Sequence, residues 1–448
     1  MADDFAMLTS ADAVMNVPNP YEADPVQQID DRPQDHYGWS LFGDDSGTAY
    51  VLWSCEGDAV IDTSGGSTVV VSSTRRLRAF SPERGASRVF TVVRHGRWQR
   101  DPQGDGKLAA QWKRRDNSGE LFAGELPAIV NGPEGRPVFV TVATRDSSGT
   151  ITTYRCESDL WHDSELRVSK EQSFQLSVAD LGSIQRDSLA SSGVVPFPQM
   201  PGHYLALGHY VCVRWWDVPA MIAHQPRRYW AAVADQNRLG PARQITPDSG
   251  YGDIGDLEVV TNRQGWAVAT CRPVEFDGRP LMISLWDGSS WQTVKFESSP
   301  LAPAPVGEPV RMMNYRPVLL DRRLLFFGGR YGQVVDVRCG ADGKPTELVW
   351  SRGLDFGEGR WIQRAANVGD GAIVVMRNEV TNSWEYAYVT PDGFSEVKPL
   401  PQLTVRYLDH CGWFDLVSSG DGTCHLVWQC KDTKRLCYMR LSRTATSS

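Results

Sequence analysis

The chain has no apolar run that approaches the roughly 20 residues a membrane-spanning helix needs. Its first residues carry acid, Asp3 and Asp4, where a secretory signal carries base followed by an apolar stretch. These absences predict a cytoplasmic protein, or one exported without a cleavable signal, and no membrane insertion. Cys-x-x-Cys pairs are also missing. The 9 cysteines are odd in number and scattered, which fits neither a zinc framework nor a paired disulfide scaffold. No cofactor and no metal is expected. Positive charge is not in excess: the net charge is -8, and basic clusters such as Arg75-Arg76-Leu77-Arg78 and Lys113-Arg114-Arg115 are short. Duplex nucleic acid, which needs a concentrated basic face, is therefore not an expected partner. Heptads and amphipathic helical stretches are absent as well.

What the chain does have is glycine (41), proline (27) and tryptophan (16). They are distributed as short runs of β-branched and aromatic residues bounded by Gly, Asp and Ser. Such side chains fit a pleated, half-buried surface, so the runs read as strands. The clearest unit is the last. Trp413-Phe414-Asp415-Leu416-Val417 precedes the turn Ser419-Gly420-Asp421-Gly422; Cys424-His425-Leu426-Val427-Trp428-Gln429 and Leu436-Cys437-Tyr438-Met439-Arg440-Leu441 follow. Variations recur upstream, with closing strands near Trp98, Trp161, Gly240, Trp291, Trp350 and Phe394. The shorter intervals match the roughly 40–50 residues of a four-stranded propeller blade.

The fold class this predicts is all-β: a single β-propeller of seven four-stranded blades. Six and eight are also compatible, because the first hundred residues divide ambiguously. The last unit ends after its third strand, so an N-terminal strand, around Trp39-Ser40-Leu41-Phe42 or Thr48 to Trp53, is expected to share its blade and close the ring. Closure removes an exposed sheet edge. Residues 1–37, polar and Pro-containing, read as an arm. Residues 38–448 form the propeller, with an inserted loop at about 170–202, where Ser191-Ser192-Gly193 and Pro196-Phe197-Pro198 break the rhythm.

The phrase Asp421-Gly422-Thr423-Cys424-His425-Leu426-Val427-Trp428, followed by Arg435-Leu436-Cys437-Tyr438, resembles the blades of sialidase-like, Asp-box propellers. Trp286-Asp287-Gly288-Ser289-Ser290-Trp291 is similar to closing turns in lectin-like propellers. The resemblance is architectural. No unit carries the whole Asp-box, since Thr423 stands where Gly belongs, and the Arg-Ile-Pro motif of sialidases is missing. A sialidase would need three convergent arginines, a Tyr nucleophile with a Glu partner, and an acid/base Asp; nothing in the sequence selects them.

The densest aromatic cluster is Arg214, Trp215, Trp216 and Asp217, with Tyr229 and Trp230 after it; Trp286 and Trp291 stand in the similar closing turn. An aromatic face beside Asp and Arg can stack on a sugar ring and bond its hydroxyls. These eight residues are the candidate ligand contacts. The bland alternative is packing between blades. His203, His209 and His224 have no metal-ligand spacing. Cys424 beside His425 would point to the opposite face of a strand, away from a thiol–imidazole pair. No catalytic residue is assigned. The sequence thus favours a non-catalytic module that binds a glycan or a partner protein. The alternatives are a glycoside hydrolase or polysaccharide lyase with its site in the central funnel, and a structural part of a phage-like or secretion assembly.

Overall fold

A computed structural model of the chain describes residues 7–8, 17–30, 36–55, 61–62, 69–70, 74–94, 98–100, 112–114, 127–145, 148–181, 189–211, 227–245, 254–273, 282–295, 316–405, 407–408, 411–412 and 414–444. Seven antiparallel sheets follow one another along it, each starting with the strand that lies innermost. The inner strands are His36–Gly43, Ala128–Asn131, Ala190–Pro196, Ile254–Thr261, Arg316–Leu319, Arg360–Asn367 and Phe414–Ser418. Each lies beside the inner strands of the preceding and following sheets, and the seventh lies beside the first. The arrangement is a closed seven-bladed β-propeller.

The core repeats the same message. Seven apolar clusters form, and each joins two successive blades. Val138, Val140 and Val142 of blade two meet Tyr204, Ala206 and Trp230 of blade three. Val427 and Tyr438 of blade seven meet Val51 and Phe80 of blade one, with the Phe80 and Tyr438 rings stacked at 4.1 Å. Strand alternation explains this: every second side chain points to one flank of its blade and is buried against the neighbour. Burial of side chains this size contributes roughly 1.5–3 kcal/mol each.

The ring closes as expected, but not with the expected strand. Leu436–Arg443 pairs with Tyr21–Ala23 and Gln27–Asp30, whereas His36–Gly43 and Ala49–Cys55 are the first two strands of blade one. Part of the stretch read as a polar arm is therefore blade seven's outer strand. It looks polar because an outermost strand exposes most of its length; Gln27 and Gln28 are exposed. Its anchors are Tyr21 and Ile29, both fully buried. Polar ties add to them: Asp24 accepts from Arg440 Nε at 2.5 Å, Asp30 from Trp53 Nε1 at 2.9 Å, and the Tyr21 carbonyl from Tyr386 Oη at 2.9 Å. Farther upstream, Met7–Leu8 adds a parallel strand to the edge of blade five, and Val17 bridges to Ser395 in blade six.

Much of the interval 170–202, read above as an inserted loop, is strand. Val168–Leu176 is the outer strand of blade two and Ala190–Pro196 the inner strand of blade three. The first alternates exposed polar residues at a sheet edge, and the second is built from small residues where strands crowd the axis, so both imitate loops. Blade one likewise closes at Phe90–Arg94, not at Trp98; Trp98–Arg100 pairs with Trp112–Arg114 in a separate hairpin.

Candidate site on the propeller axis

One turn gives the axial channel its polarity. Residues 197–203 join the first two strands of blade three, and they reach across the ring. The Gln199 backbone N–H donates to Asp45 Oδ1 of blade one at 3.0 Å. Gln199 Nε2 donates to the Gly420 carbonyl of blade seven at 3.1 Å. Gly202 N–H donates to the Asn131 carbonyl of blade two at 2.6 Å. Blades three and seven stand on opposite sides of a seven-membered ring, so a bond between them must cross the axis. We therefore call this turn, which lies at the end where the inner strands finish, the plug. Gln199 is held there at φ 56°, in the left-handed region that few non-glycine residues adopt. Burial pushes the Asp45 carboxyl up, and its bonds to Gln199 N–H and the Asn131 amide partly oppose that.

Above the plug, four inner strands bring charge together. Arg316 of blade five donates from Nη1 to Glu258 Oε2 of blade four at 2.7 Å, and from Nε to the Gln363 carbonyl of blade six at 3.0 Å. Arg364 of blade six lies over the Phe414 ring of blade seven, 5.5 Å from its centroid. Asp415 follows Phe414. Burial pushes its carboxyl above the ordinary aspartate range, while the charges of Arg364 and Arg316 pull it back. Asp415 keeps some solvent contact. It stands three residues before Ser418 at the strand's end, or about 10 Å at a 3.3 Å rise per residue. The described inner-strand residues of blades one to three, 39–43, 128–131 and 193–196, carry no charge. The axis therefore has a charged arc on blades four to seven and an uncharged arc opposite.

The sequence reading singled out none of these four residues. A charge inside the apolar run that opens a unit, as in Leu257-Glu258-Val259-Val260 and Phe414-Asp415-Leu416-Val417, was the available signal.

Arg214, Trp215, Trp216 and Asp217 lie outside the described residues. Trp230 is fully buried between blades two and three. Tyr229, on the other flank of the same strand, packs toward blade four beside His209. Trp286 and Trp291 are cross-strand partners in blade four, with centroids 5.6 Å apart, and both join the packing against blade three. The structure thus brings these four aromatics into inter-blade cores, away from the axial charges.

Cys424 and His425 do point apart. Cys424 joins the blade six–seven core. His425 is fully buried on the other flank, in a hydrogen-bonded chain. Ser419 Oγ donates to Asp421 Oδ1 at 2.7 Å, so its oxygen accepts from His425 Nε2 at 2.9 Å. His425 Nδ1 then accepts from Tyr438 Oη at 2.8 Å. Burial pushes the imidazole down to about 4, against the pull of Asp421 and together with the charge of Arg440. This chain fixes the turn 419–423 and the seam to blade one. Among the described residues, no group of three or more His, Cys, Asp or Glu is placed to hold a metal, and no helix is long and apolar enough to cross a membrane.

No family model matches the chain, and no curated protein matches it. The chain shows weak likenesses to solved structures. An α-L-arabinanase of Penicillium chrysogenum complexed with arabinobiose is 12% identical over 86% of this chain and 97% of its own, with a TM-score of 0.35. A protein of unknown function from Dyadobacter fermentans is 10% identical over 93% and 99%, at 0.37. The polysaccharide lyase Uly1 is 11% identical over 91% and 77%, at 0.40. Likenesses at these scores carry no argument; the fold stands on the strand ladders and the seven inter-blade cores.

Proposed function

We propose that this propeller binds a glycan on its axis, at the level of Glu258, Arg316, Arg364 and Asp415. The reading rests on charge carried at one level by the inner strands of four successive blades, with Glu258 paired to Arg316 across one seam, and on the Gln199 turn that bonds across the ring at the end where those strands finish. A sugar presents apolar C–H faces and polar edges, and the axis offers an uncharged arc facing a charged one. Guanidinium groups and carboxyls give the directional bonds that hydroxyls need, while a rigid ring holds them in place without an ordering cost on binding. Binding is the activity this geometry supports without further assumption.

A partner-protein reading would draw on exposed apolar area. Among the described residues, the large apolar side chains that are exposed are Val26, Val89 and Val380. They sit singly on blades seven, one and six, as on any soluble surface.

The test is a glycan array followed by calorimetry on each hit, with wild type and Arg364→Ala. The expected result is saturable binding that weakens at least about tenfold, or 1.4 kcal/mol, in the variant. An array with no hit, or hits indifferent to Arg364→Ala, would sink the reading.

A further inference from the structure

The inner strands share one register, and it shows what faces the charged arc. In every blade the last four residues of the inner strand pair in unbroken register with the next strand. The first of those four is therefore an equivalent position in each blade. On blades four to seven it is Glu258, Arg316, Arg364 and Asp415; on blades one to three it is Ser40, Ala128 and Gly193. In blades one, three, four and six the register shifts immediately before this position, and such a shift re-aims a side chain. The small side of the ring has room. Among the described residues, none has an atom within 4 Å of where a Cβ on Gly193 would stand. A glycine inside a strand is a place where another group can approach closely.

Three residues farther along each strand, about 10 Å at 3.3 Å per residue, the plug crosses the ring. It bonds to blades one, two and seven, and Met200 Cε would stand 3.6 Å from a Cβ on Gly265 of blade four. Gln236 of its own blade donates to the Pro201 carbonyl at 3.0 Å. A chain cannot thread a ring that is bonded across.

We infer that the axial site takes the end of a glycan chain and lodges its terminal sugar against Ser40, Ala128 and Gly193. This rests on the glycan reading above. An internal segment held at this level would have to enter and leave by the same face, doubling back inside the ring; a terminal unit does not. The apolar face of that unit lies against the small, uncharged arc. Its hydroxyls meet Arg364 and the Glu258–Arg316 pair on the other side. Ser40, Ala128 and Gly193 set the size of the unit accepted, and the plug sets how deep it goes.

The experiment takes the strongest hit of the glycan array as its linear polysaccharide, before and after partial acid hydrolysis, and titrates wild type with each by calorimetry. Hydrolysis multiplies chain ends at nearly constant mass. Binding capacity per gram is expected to rise in proportion to the reducing ends counted in the same samples. The second arm is Ser40→Phe, which fills the small arc and leaves the four charged residues in place. Its Kd for the hydrolysate is expected to weaken at least about tenfold. The end count uses wild type alone, so it decides even where Ser40→Phe does not fold. Capacity per gram that stays constant as ends multiply would overturn the inference, as would a folded Ser40→Phe with the wild-type Kd. In either case binding that still depends on Arg364 would leave the glycan reading standing, whereas no binding in either sample would remove both.

Discussion

Acidification acts on the seam between blades seven and one, through His425. The imidazole is buried and neutral, and it accepts from Tyr438, whose ring stacks on Phe80 of blade one. In the unfolded chain it takes up a proton near pH 6.5; in the folded protein burial pushes that down to about 4. Between these values the unfolded state binds more protons, so stability must fall as pH falls. His425's contribution is complete above about pH 6.5 and is lost as pH drops toward 4. A gap of about two and a half pH units, at about 1.4 kcal/mol for each, is worth about 3.5 kcal/mol in full, of which about 3 kcal/mol is lost by pH 4, where the folded-state imidazole is half protonated. The other histidines and the carboxylates titrate too, so the informative quantity is a difference. Urea unfolding of wild type and His425→Gln, which cannot titrate but can still donate a bond, should be measured from pH 7 to pH 4. The variant is expected to be less stable at pH 7. Wild type should then lose about 3 kcal/mol more than the variant on acidification, bringing the two curves together. Curves that fall in parallel would refute the assignment of a buried, neutral imidazole to this seam.

Other perturbations address closure and the plug. Ile29→Ala removes a fully buried anchor of the N-terminal closing strand and is expected to cost about 2–5 kcal/mol, read as a lower denaturant midpoint; an unchanged midpoint would mean that the strand does not close the ring. Gly420→Ala places a Cβ 2.8 Å from Asp45 Cα, which is backbone and cannot swing aside. It should cost about 1–3 kcal/mol, measured by thermal unfolding, because blades seven and one meet there beneath Gln199.

Much of the fold could be read from residues alone, because a blade repeats the same physics: apolar alternation, an Asp- or Gly-containing turn, an aromatic closing strand. Three features escaped, each for a local reason. Gln27–Asp30 is a strand whose exposed edge makes it look like a tail. Val168–Leu176 and Ala190–Pro196 are strands at the two extremes of a blade, one solvated and one crowded by the axis, and neither has the β-branched richness of a middle strand such as Ala372–Asn378. The axial site escaped for a different reason. Glu258, Arg316, Arg364 and Asp415 are far apart in the chain, and only ring closure makes them neighbours. Trp230, Trp286 and Trp291 drew attention instead because their density is local, but that density belongs to inter-blade packing.

The most direct test is where a ligand sits. A crystal of the protein soaked with a glycan that binds in solution should show density on the propeller axis, within hydrogen-bonding reach of Asp415 and Arg364 and above Gln199. Density on a blade's flank or outer edge, with the axis vacant, would contradict the account.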